Sequence, residues 1–167
     1  GSAPSSPEEN TPLWREVLLE AEHRLATGAS RSREARWMVA AVSGIDDDAG
    51  FDSRAMPRHL EQFEILVGRR LAGEPLQYVL GRWPFRSLDL MIDRRVLIPR
   101  PETEVVAGYA LEECSRVAAT RLPGDSVFVA DLGCGSGAIG LAVAAEHPAT
   151  RVWCTDISTE ALAVAAA

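Results

Sequence analysis

Apolar positions between residues 12 and 72 recur at the three- and four-residue spacing of one helix face. Turn residues separate three such segments, which predict three helices. The first begins at Thr11-Pro12 and ends at Thr27-Gly28, the second runs from about Ser32 to Ser43-Gly44, and the third runs from about Pro57 to Leu71. Their predicted inner faces carry Trp14, Val17, Leu18, Ala21 and Leu25, then Ala35, Trp37, Met38, Ala41 and Val42, then Leu60, Phe63, Leu66 and Val67. This part of the chain therefore predicts a small helical bundle.

The pattern changes after Gly73-Glu74-Pro75. Alternating apolar and polar residues between Trp83 and Asp93 predict a β-hairpin, and residues 96–98 predict a further strand. Pro99 and Pro101 then hold the chain extended before a helix, because proline fixes its own φ and restricts the residue before it. The apolar residues of this amphipathic helix are Val105, Val106, Tyr109, Ala110 and Val117.

An unbroken apolar run at residues 127–129 is typical of a parallel strand that is buried on both faces. It leads into the glycine-rich turn of residues 131–140, and the apolar residues that follow predict a helix ended by His147-Pro148. A second strand over residues 151–155 runs into Asp156, about 20 residues beyond the glycines, where an acidic residue commonly holds a ribose hydroxyl. These elements predict a nucleoside-binding βαβ unit and an α/β fold.

The glycines alone leave the identity of the cofactor open. Gly135, Gly137 and Gly140 also satisfy the dinucleotide pattern G-x-G-x-x-G, which would fit NAD. Asp131 favours a different ligand, because its carboxylate would face the same crevice, repel a pyrophosphate and attract an ammonium and a sulfonium. S-adenosylmethionine carries both of these cations. We therefore expect S-adenosylmethionine rather than NAD, with a glycine-rich turn that binds no ligand as the third alternative.

Composition and charge narrow the class of protein. The 167 residues carry 24 acidic and 17 basic side chains, and the formal charge of -7 disfavours a protein whose main task is to grip a phosphate backbone. Cys114, Cys134 and Cys154 are far apart, so we expect reduced thiols and no zinc site. The acidic turn at residues 46–48 lacks the other ligands of a calcium loop, and we expect no metal. Residues 1–10 do not resemble a signal peptide, and no apolar run has the length of a membrane span, so we expect a cytoplasmic protein.

Four stretches of the chain are specific enough to indicate a family. They are Gly73-Glu74-Pro75-Leu76-Gln77-Tyr78, Val96-Leu97-Ile98-Pro99-Arg100-Pro101-Glu102-Thr103-Glu104, the glycine-rich turn of residues 131–140, and Asp156-Ile157-Ser158 followed by Ala161-Leu162. Together they resemble the PrmC or HemK family of release factor glutamine methyltransferases. The resemblance implies transfer of a methyl group from S-adenosylmethionine to the side-chain amide nitrogen of the glutamine in the Gly-Gly-Gln motif of class 1 peptide chain release factors. It implies no membrane partner and no direct nucleic-acid partner.

The resemblance also implies a domain organisation and a set of site residues. We expect a cloning scar or disordered lead at residues 1–10, a helical recognition domain at 11–75, a β-hairpin connector at 76–98, and the first part of a Rossmann-like class I methyltransferase domain at 99–167. The implied cofactor residues are Asp131, Gly133, Cys134, Gly135, Ser136, Gly137 and Asp156, with Thr103 bordering the crevice. The implied substrate side consists of Arg100, Pro101 and Glu102.

The sequence departs from the family at the catalytic motif. In the family, the asparagine side chain and a proline carbonyl of an Asn-Pro-Pro-Tyr motif accept the two N–H groups of the acceptor amide, and this motif does not occur in the 167 residues. We therefore expect a truncated form, no catalytic residue in this chain and no methyl transfer by the chain alone. An uncovered sheet edge and apolar face should favour self-association or local disorder near the C-terminus. Two other functions stay open, namely amino-group methylation of DNA adenine or ribosomal RNA guanine, and non-catalytic docking of a partner.

Overall fold

The computed structural model describes residues 11–25, 31–122 and 124–167. The chain divides into two compact units, one ending at Leu80 and the other beginning at Gly81. The first unit contains helices α1 (Trp14–Arg24), α2 (Arg31–Ser43), α3 (Pro57–Leu71) and α4 (Leu76–Leu80), and a 3-10 turn at Gly50–Asp52. The second contains β1 (Arg82–Phe85), β2 (Leu88–Met91), α5 (Pro101–Ala118), β3 (Val127–Leu132), α6 (Ala138–Glu146), β4 (Thr150–Thr155) and α7 (Thr159–Ala165). The α/β class is confirmed.

The three predicted helices of the first unit are present. α2 and α3 have the expected bounds, whereas α1 begins at Trp14 rather than at Thr11-Pro12. The residues before α1 are extended and pair with residues 54 and 55. Leu13 forms an antiparallel bridge with Arg54, and the carbonyl of Pro12 accepts a hydrogen bond from the Ala55 N–H at 2.9 Å. The predicted end of α1 at Thr27-Gly28 lies outside the described residues.

The core of the first unit forms where α1, α2 and α3 meet. Trp14 and Phe63 pack edge to face with their ring centroids 6.1 Å apart, an arrangement that adds to the gain from burial. The buried residues of α2 are Ala35, Met38 and Val39. The predicted inner positions of Trp37 and Ala41 are wrong, since both residues are exposed. Successive residues of a helix are rotated by about 100° around its axis. Only a narrow stripe of α2 contacts the core, so residues that are next to the buried ones in sequence face solvent.

The β-hairpin is confirmed, with β1 and β2 antiparallel and Phe85 paired with Leu88. The strand predicted for residues 96–98 is wrong. Val96 closes a tight turn instead, because its N–H donates to the Asp93 carbonyl at 3.1 Å and the Arg95 N–H donates to the Asp93 carboxylate at 2.9 Å. The helix α4, which directly precedes the hairpin, was not predicted, since five residues are too few to display a helical period.

The predicted βαβ unit is confirmed. β3 and β4 are parallel, with Val127 opposite Thr150 and Leu132 opposite Thr155, and α6 connects them and ends before Pro148. The core of this unit is formed by the buried residues Cys114, Val127 and Val143. It lies between one face of the two-stranded sheet and the helices α5 and α6.

α5 is present, but its predicted inner face is partly wrong. Val105, Val106 and Tyr109 are exposed, while the buried residues are Ala107 and Cys114. The prediction that the strand at residues 127–129 is buried on both faces is wrong, because Phe128 is exposed on the opposite face of the sheet, where it stacks on the exposed Trp153 with the ring centroids 5.4 Å apart. None of the helices in the described ranges is long and apolar enough to cross a bilayer.

Candidate functional site

The glycine-rich turn after β3 depends on backbone conformations that favour glycine. Gly133, Gly135 and Gly137 have φ values of +76°, +54° and +78°. The N–H groups of Gly133 and Cys134 both donate to the carbonyl of Thr155, at 2.8 and 2.9 Å, which fixes the start of the turn to the end of β4. A Cβ at Gly133 or Gly135 would meet no atom within 4 Å, so the backbone of the turn borders open space.

Asp131 connects the end of β3 to the first turn of α6. Its Oδ2 accepts a hydrogen bond from the N–H of Gly140 at 2.9 Å, close to the positive end of the helix dipole. Gly140 is buried, and a Cβ at this position would lie 2.6 Å from Cys154 Sγ and 3.0 Å from Asp131 Oδ2. The side chain of Asp131 therefore anchors the turn as well as facing the space beside it.

Asp156 holds the glycine-rich turn from the other side. Its Oδ1 accepts from the Ser158 N–H at 2.9 Å and its Oδ2 accepts from the Gly135 N–H at 2.8 Å. These hydrogen bonds, led by the one from Ser158, hold the pKa of the Asp156 carboxyl below its usual range. Ser158 also caps α7, because its Oγ accepts from the Ala161 N–H at 3.1 Å. The ionised Asp156 thus connects the turn to the start of α7.

A cavity of about 310 Å³ lies between the glycine-rich turn and the proline-containing segment before α5. One wall is formed by Leu97, Ile98, Pro99, Arg100 and Thr103, and the other by Asp131, Gly133, Cys134, Gly135, Ser136, Ala138 and Ile139. The volume is at the lower end of the range for small-molecule sites. The cavity lies beyond the carboxyl end of β3, which is where ligands of open α/β sheets bind.

The structure gathers most of the sequence-predicted site residues around this cavity. They are Asp131, Gly133, Cys134, Gly135, Ser136, Thr103 and Arg100. Gly137 instead precedes α6 as its N-cap, Asp156 contacts the turn from outside, and Pro101 and Glu102 lie exposed in the first turn of α5. Apolar residues that were not among the predicted site residues also line the cavity. Two of them lie within the stretches that indicated the family: Ile139 in the glycine-rich turn and Leu97 in the proline-containing stretch.

The cysteines near the cavity are protonated at neutral pH. Burial raises the pKa of Cys134, and the carboxylates of Asp131 and Asp156 raise it further. Burial raises the pKa of Cys154 to about 11. A thiol rather than a thiolate is a poor nucleophile, so these residues do not suit covalent catalysis. All three cysteines are free, and no grouping of three or more metal-ligating side chains occurs within the described ranges.

Comparison with known proteins matches both parts of the chain. Residues 16–81 match the model of the PrmC N-terminal domain, and residues 102–167 match the model of the methyltransferase small domain. The release factor glutamine methyltransferase of Moorella thermoacetica is 40% identical over 156 residues, which cover 90% of this chain and 53% of that protein. The chain belongs to the PrmC family. The matched N-terminal domain covers α1 from its third residue and all of α2 to α4, and the matched methyltransferase domain contains the glycine-rich turn.

Two other release factor glutamine methyltransferases are similar to this chain over nearly its whole length. The release factor glutamine methyltransferase of Gloeobacter violaceus is 39% identical over 158 residues, covering 92% of this chain and 51% of that protein. The one of Geobacter sulfurreducens is 36% identical over 164 residues, covering 94% of this chain and 55% of that protein. The chain thus spans about half the length of the curated relatives that it matches.

Proposed function

We propose that the cavity beside the glycine-rich turn binds S-adenosylmethionine. The observation that carries this proposal is the position of Asp131, whose carboxylate lines the cavity at the end of β3 while its Oδ2 is fixed by Gly140. A fixed carboxylate in a partly dry site attracts the ammonium and sulfonium of this ligand and repels the pyrophosphate of NAD. The open space above Gly133 and Gly135 allows the ligand to approach the backbone closely.

We further propose that the protein to which this chain belongs methylates the side-chain amide nitrogen of the Gly-Gly-Gln glutamine in class 1 release factors, and therefore acts in the cytoplasm. The relatives are release factor glutamine methyltransferases, which supports a release factor as the substrate. When bound, S-adenosylmethionine would supply an electrophilic methyl group: the N–C bond to the amide nitrogen would form as the C–S bond breaks, S-adenosylhomocysteine would be the leaving group, and the proton released from the amide nitrogen would pass to water.

The residues of this chain would contribute positioning rather than proton transfer. Asp131 would orient the ammonium end of the cofactor, and Asp156 would hold the ribose hydroxyls in addition to the N–H of Gly135. Thr103 and Arg100 would border the crevice where the acceptor enters, because both line the wall that faces the glycine-rich turn. Residues 97–100 would exclude water from that side of the cavity, since Pro99 and Pro101 make the segment stiff.

The domain roles are part of the same proposal. We assign recognition of the release factor to the helical domain at residues 11–75, a connecting role to the hairpin region at 76–98, and cofactor binding to residues 99–167. The match of residues 16–81 to the PrmC N-terminal domain supports a separate first domain. Because no Asn-Pro-Pro-Tyr motif occurs among the 167 residues, we expect them to bind the cofactor without transferring its methyl group.

A methyl-transfer assay tests the activity. The chain and the Moorella thermoacetica relative are incubated separately with a class 1 release factor and S-adenosylmethionine labelled in the methyl group. We expect label in the release factor with the relative, no label with the 167 residues, and none when the acceptor glutamine is replaced by alanine. Turnover by the 167 residues would refute the proposed need for the motif.

The two other functions are tested with the same materials. Labelling of DNA or ribosomal RNA, but not of the release factor, would favour a nucleic-acid methyltransferase. If the chain only docks a partner and has no cofactor role, substitutions at Gly135 and Asp156 should leave its affinity for the release factor unchanged. This should hold both with and without S-adenosylhomocysteine.

A further inference from the structure

Arg86 occupies a strained position in the β-hairpin. The pairing of Phe85 with Leu88 leaves Arg86 and Ser87 as a two-residue turn, and Arg86 has a φ of +51°. It is the only non-glycine residue with a positive φ in the part of the chain that the structure describes. Hairpin turns favour glycine, asparagine or aspartate there, and strain of this kind persists only where surrounding contacts hold it.

The contacts that hold Arg86 come from two helices. Its backbone N–H donates to Glu104 Oε1 at 2.9 Å and its Nη1 donates to the Glu104 carbonyl at 3.2 Å, both in α5. Its Nε and Nη2 donate to Glu146 Oε1 and Oε2 at 2.8 and 2.6 Å, at the last residue of α6. The side chains of Arg86 and Glu146 are only 26% and 25% exposed, so this forked ion pair is partly protected from solvent.

The same two helices carry the two walls of the cavity. Glu104 directly follows Thr103, which lines the wall on the α5 side. Glu146 is at the end of α6, and Ala138 and Ile139 at the beginning of α6 line the opposite wall. With nine residues, α6 is about 13 Å long and behaves as a rigid rod over that distance.

We propose that Arg86 is a positioning residue that sets the distance between the two walls of the cofactor cavity. The inference rests on the proposed function, since it assigns to Arg86 an effect on the affinity for S-adenosylmethionine and its product. The proposal also explains why this position, which favours glycine, is occupied by arginine. In the left-handed conformation the backbone N–H of Arg86 reaches Glu104 while its guanidinium reaches Glu146. Arg86 acts through the helices and does not touch the cavity.

Four variants of the 167-residue chain separate positioning from general stability. Arg86→Gly removes the ion pair and relieves the backbone strain, Arg86→Lys keeps the charge without the forked geometry, and Glu146→Gln weakens the pair from the other side. Arg116→Ala is the matched control, because Arg116 forms a forked pair with Glu113 on the exposed surface of α5. Each variant is first checked for folding by circular dichroism.

Two readouts are then taken on each folded variant. Calorimetric titration with S-adenosylhomocysteine is expected to show affinity about tenfold weaker for Arg86→Gly, intermediate for Arg86→Lys and Glu146→Gln, and unchanged for Arg116→Ala. Hydrogen exchange without ligand is expected to speed up most in the first turns of α5 and α6 in Arg86→Gly, less in Arg86→Lys and Glu146→Gln, and not at all in Arg116→Ala. Unchanged exchange, or unchanged affinity in a folded Arg86→Gly, would overturn the inference. If the wild-type chain fails to bind S-adenosylhomocysteine, the proposed function fails, and hydrogen exchange still decides whether Arg86 positions the walls.

Discussion

Replacing Gly140 by alanine tests the close packing between β4 and α6. Gly140 is a buried helical residue with ordinary backbone angles, so helix propensity alone favours alanine by about 1 kcal/mol. The added Cβ, however, would lie 2.6 Å from Cys154 Sγ and 3.0 Å from Asp131 Oδ2. Overpacking of this kind typically costs about 1–3 kcal/mol. We expect a net loss of about 1 kcal/mol in the free energy of unfolding.

Gly68→Ala is the matched control for this substitution. Gly68 lies within α3, also with ordinary backbone angles, and a Cβ there would meet nothing within 4 Å. The same change should therefore stabilise the protein by about 0.5–1 kcal/mol. The two glycine-to-alanine substitutions should have opposite signs and differ by about 2 kcal/mol, because only one of them meets a neighbouring strand.

Urea unfolding followed by circular dichroism measures both variants, and native-state hydrogen exchange assigns each change to one of the two units. Adding Cys154→Ala to Gly140→Ala should recover part of the lost stability, and a double-mutant cycle measures that coupling. A Gly140→Ala variant at least as stable as the wild-type chain would refute the packing described for this turn.

Three further expectations concern ionisable groups. Arg69→Ala should destabilise the first unit by about 2 kcal/mol in urea unfolding, because it removes the two hydrogen bonds that Arg69 Nε and Nη2 donate to the buried Glu74 carboxylate. Arg24→Ala, at the more exposed pair with Glu64, should cost less than about 1 kcal/mol. The pKa of Asp156 is lowered in the folded chain, so its stabilisation is present above the ordinary pKa of the carboxyl and is lost as the pH falls through the lowered value. The protection of the amides in the glycine-rich turn, measured relative to intrinsic exchange at each pH, should therefore be lost only below the ordinary pKa of an aspartate. Cys154, with a pKa of about 11, should react with iodoacetamide about tenfold faster for each pH unit between 8 and 10.

Each of these expectations has an outcome that contradicts it. Equal losses of unfolding free energy for Arg69→Ala and Arg24→Ala would mean that the burial of Glu74 does not increase the cost of removing its arginine partner. Protection of the glycine-rich turn that disappears near neutral pH would exclude the Asp156 carboxylate as its cause. Alkylation of Cys154 at the rate of a free cysteine at pH 8 would contradict its burial beside α6.

The sequence predicted the parts of the fold that depend on local signals. Pro57 fixes the start of α3, and the helix ends at Leu71, shortly before the turn residue Gly73. The run at residues 127–129 and the glycines after it similarly predicted β3, the turn and α6, because an apolar run followed by closely spaced glycines is typical of a strand that leads into a left-handed turn. The residues that line the cavity come from two stretches quoted in the sequence analysis, namely residues 96–104 and the glycine-rich turn of residues 131–140.

What the sequence did not predict depends on contacts between distant residues. Residues 96–98 have the composition of a strand, but a strand also requires a neighbour, and the Asp93 turn directs the chain elsewhere. Val105 and Tyr109 suggested the inner face of α5 by their hydrophobicity, but the core is contacted by the opposite face of the helix, which carries Ala107. The sequence did not indicate a structural role for Arg86. Its positive φ and its contacts with Glu104 and Glu146 depend on how the hairpin, α5 and α6 pack together.

The central claim is that these 167 residues form an S-adenosylmethionine site, and a calorimetric titration with S-adenosylhomocysteine tests it most directly. NAD serves as the competing ligand, and circular dichroism verifies that the sample is folded. We predict binding of S-adenosylhomocysteine, no binding of NAD, and loss of binding in a folded Gly135→Ala variant, whose φ of +54° disfavours any side chain. Binding of NAD alone, or of neither ligand by a folded chain, would contradict the claim.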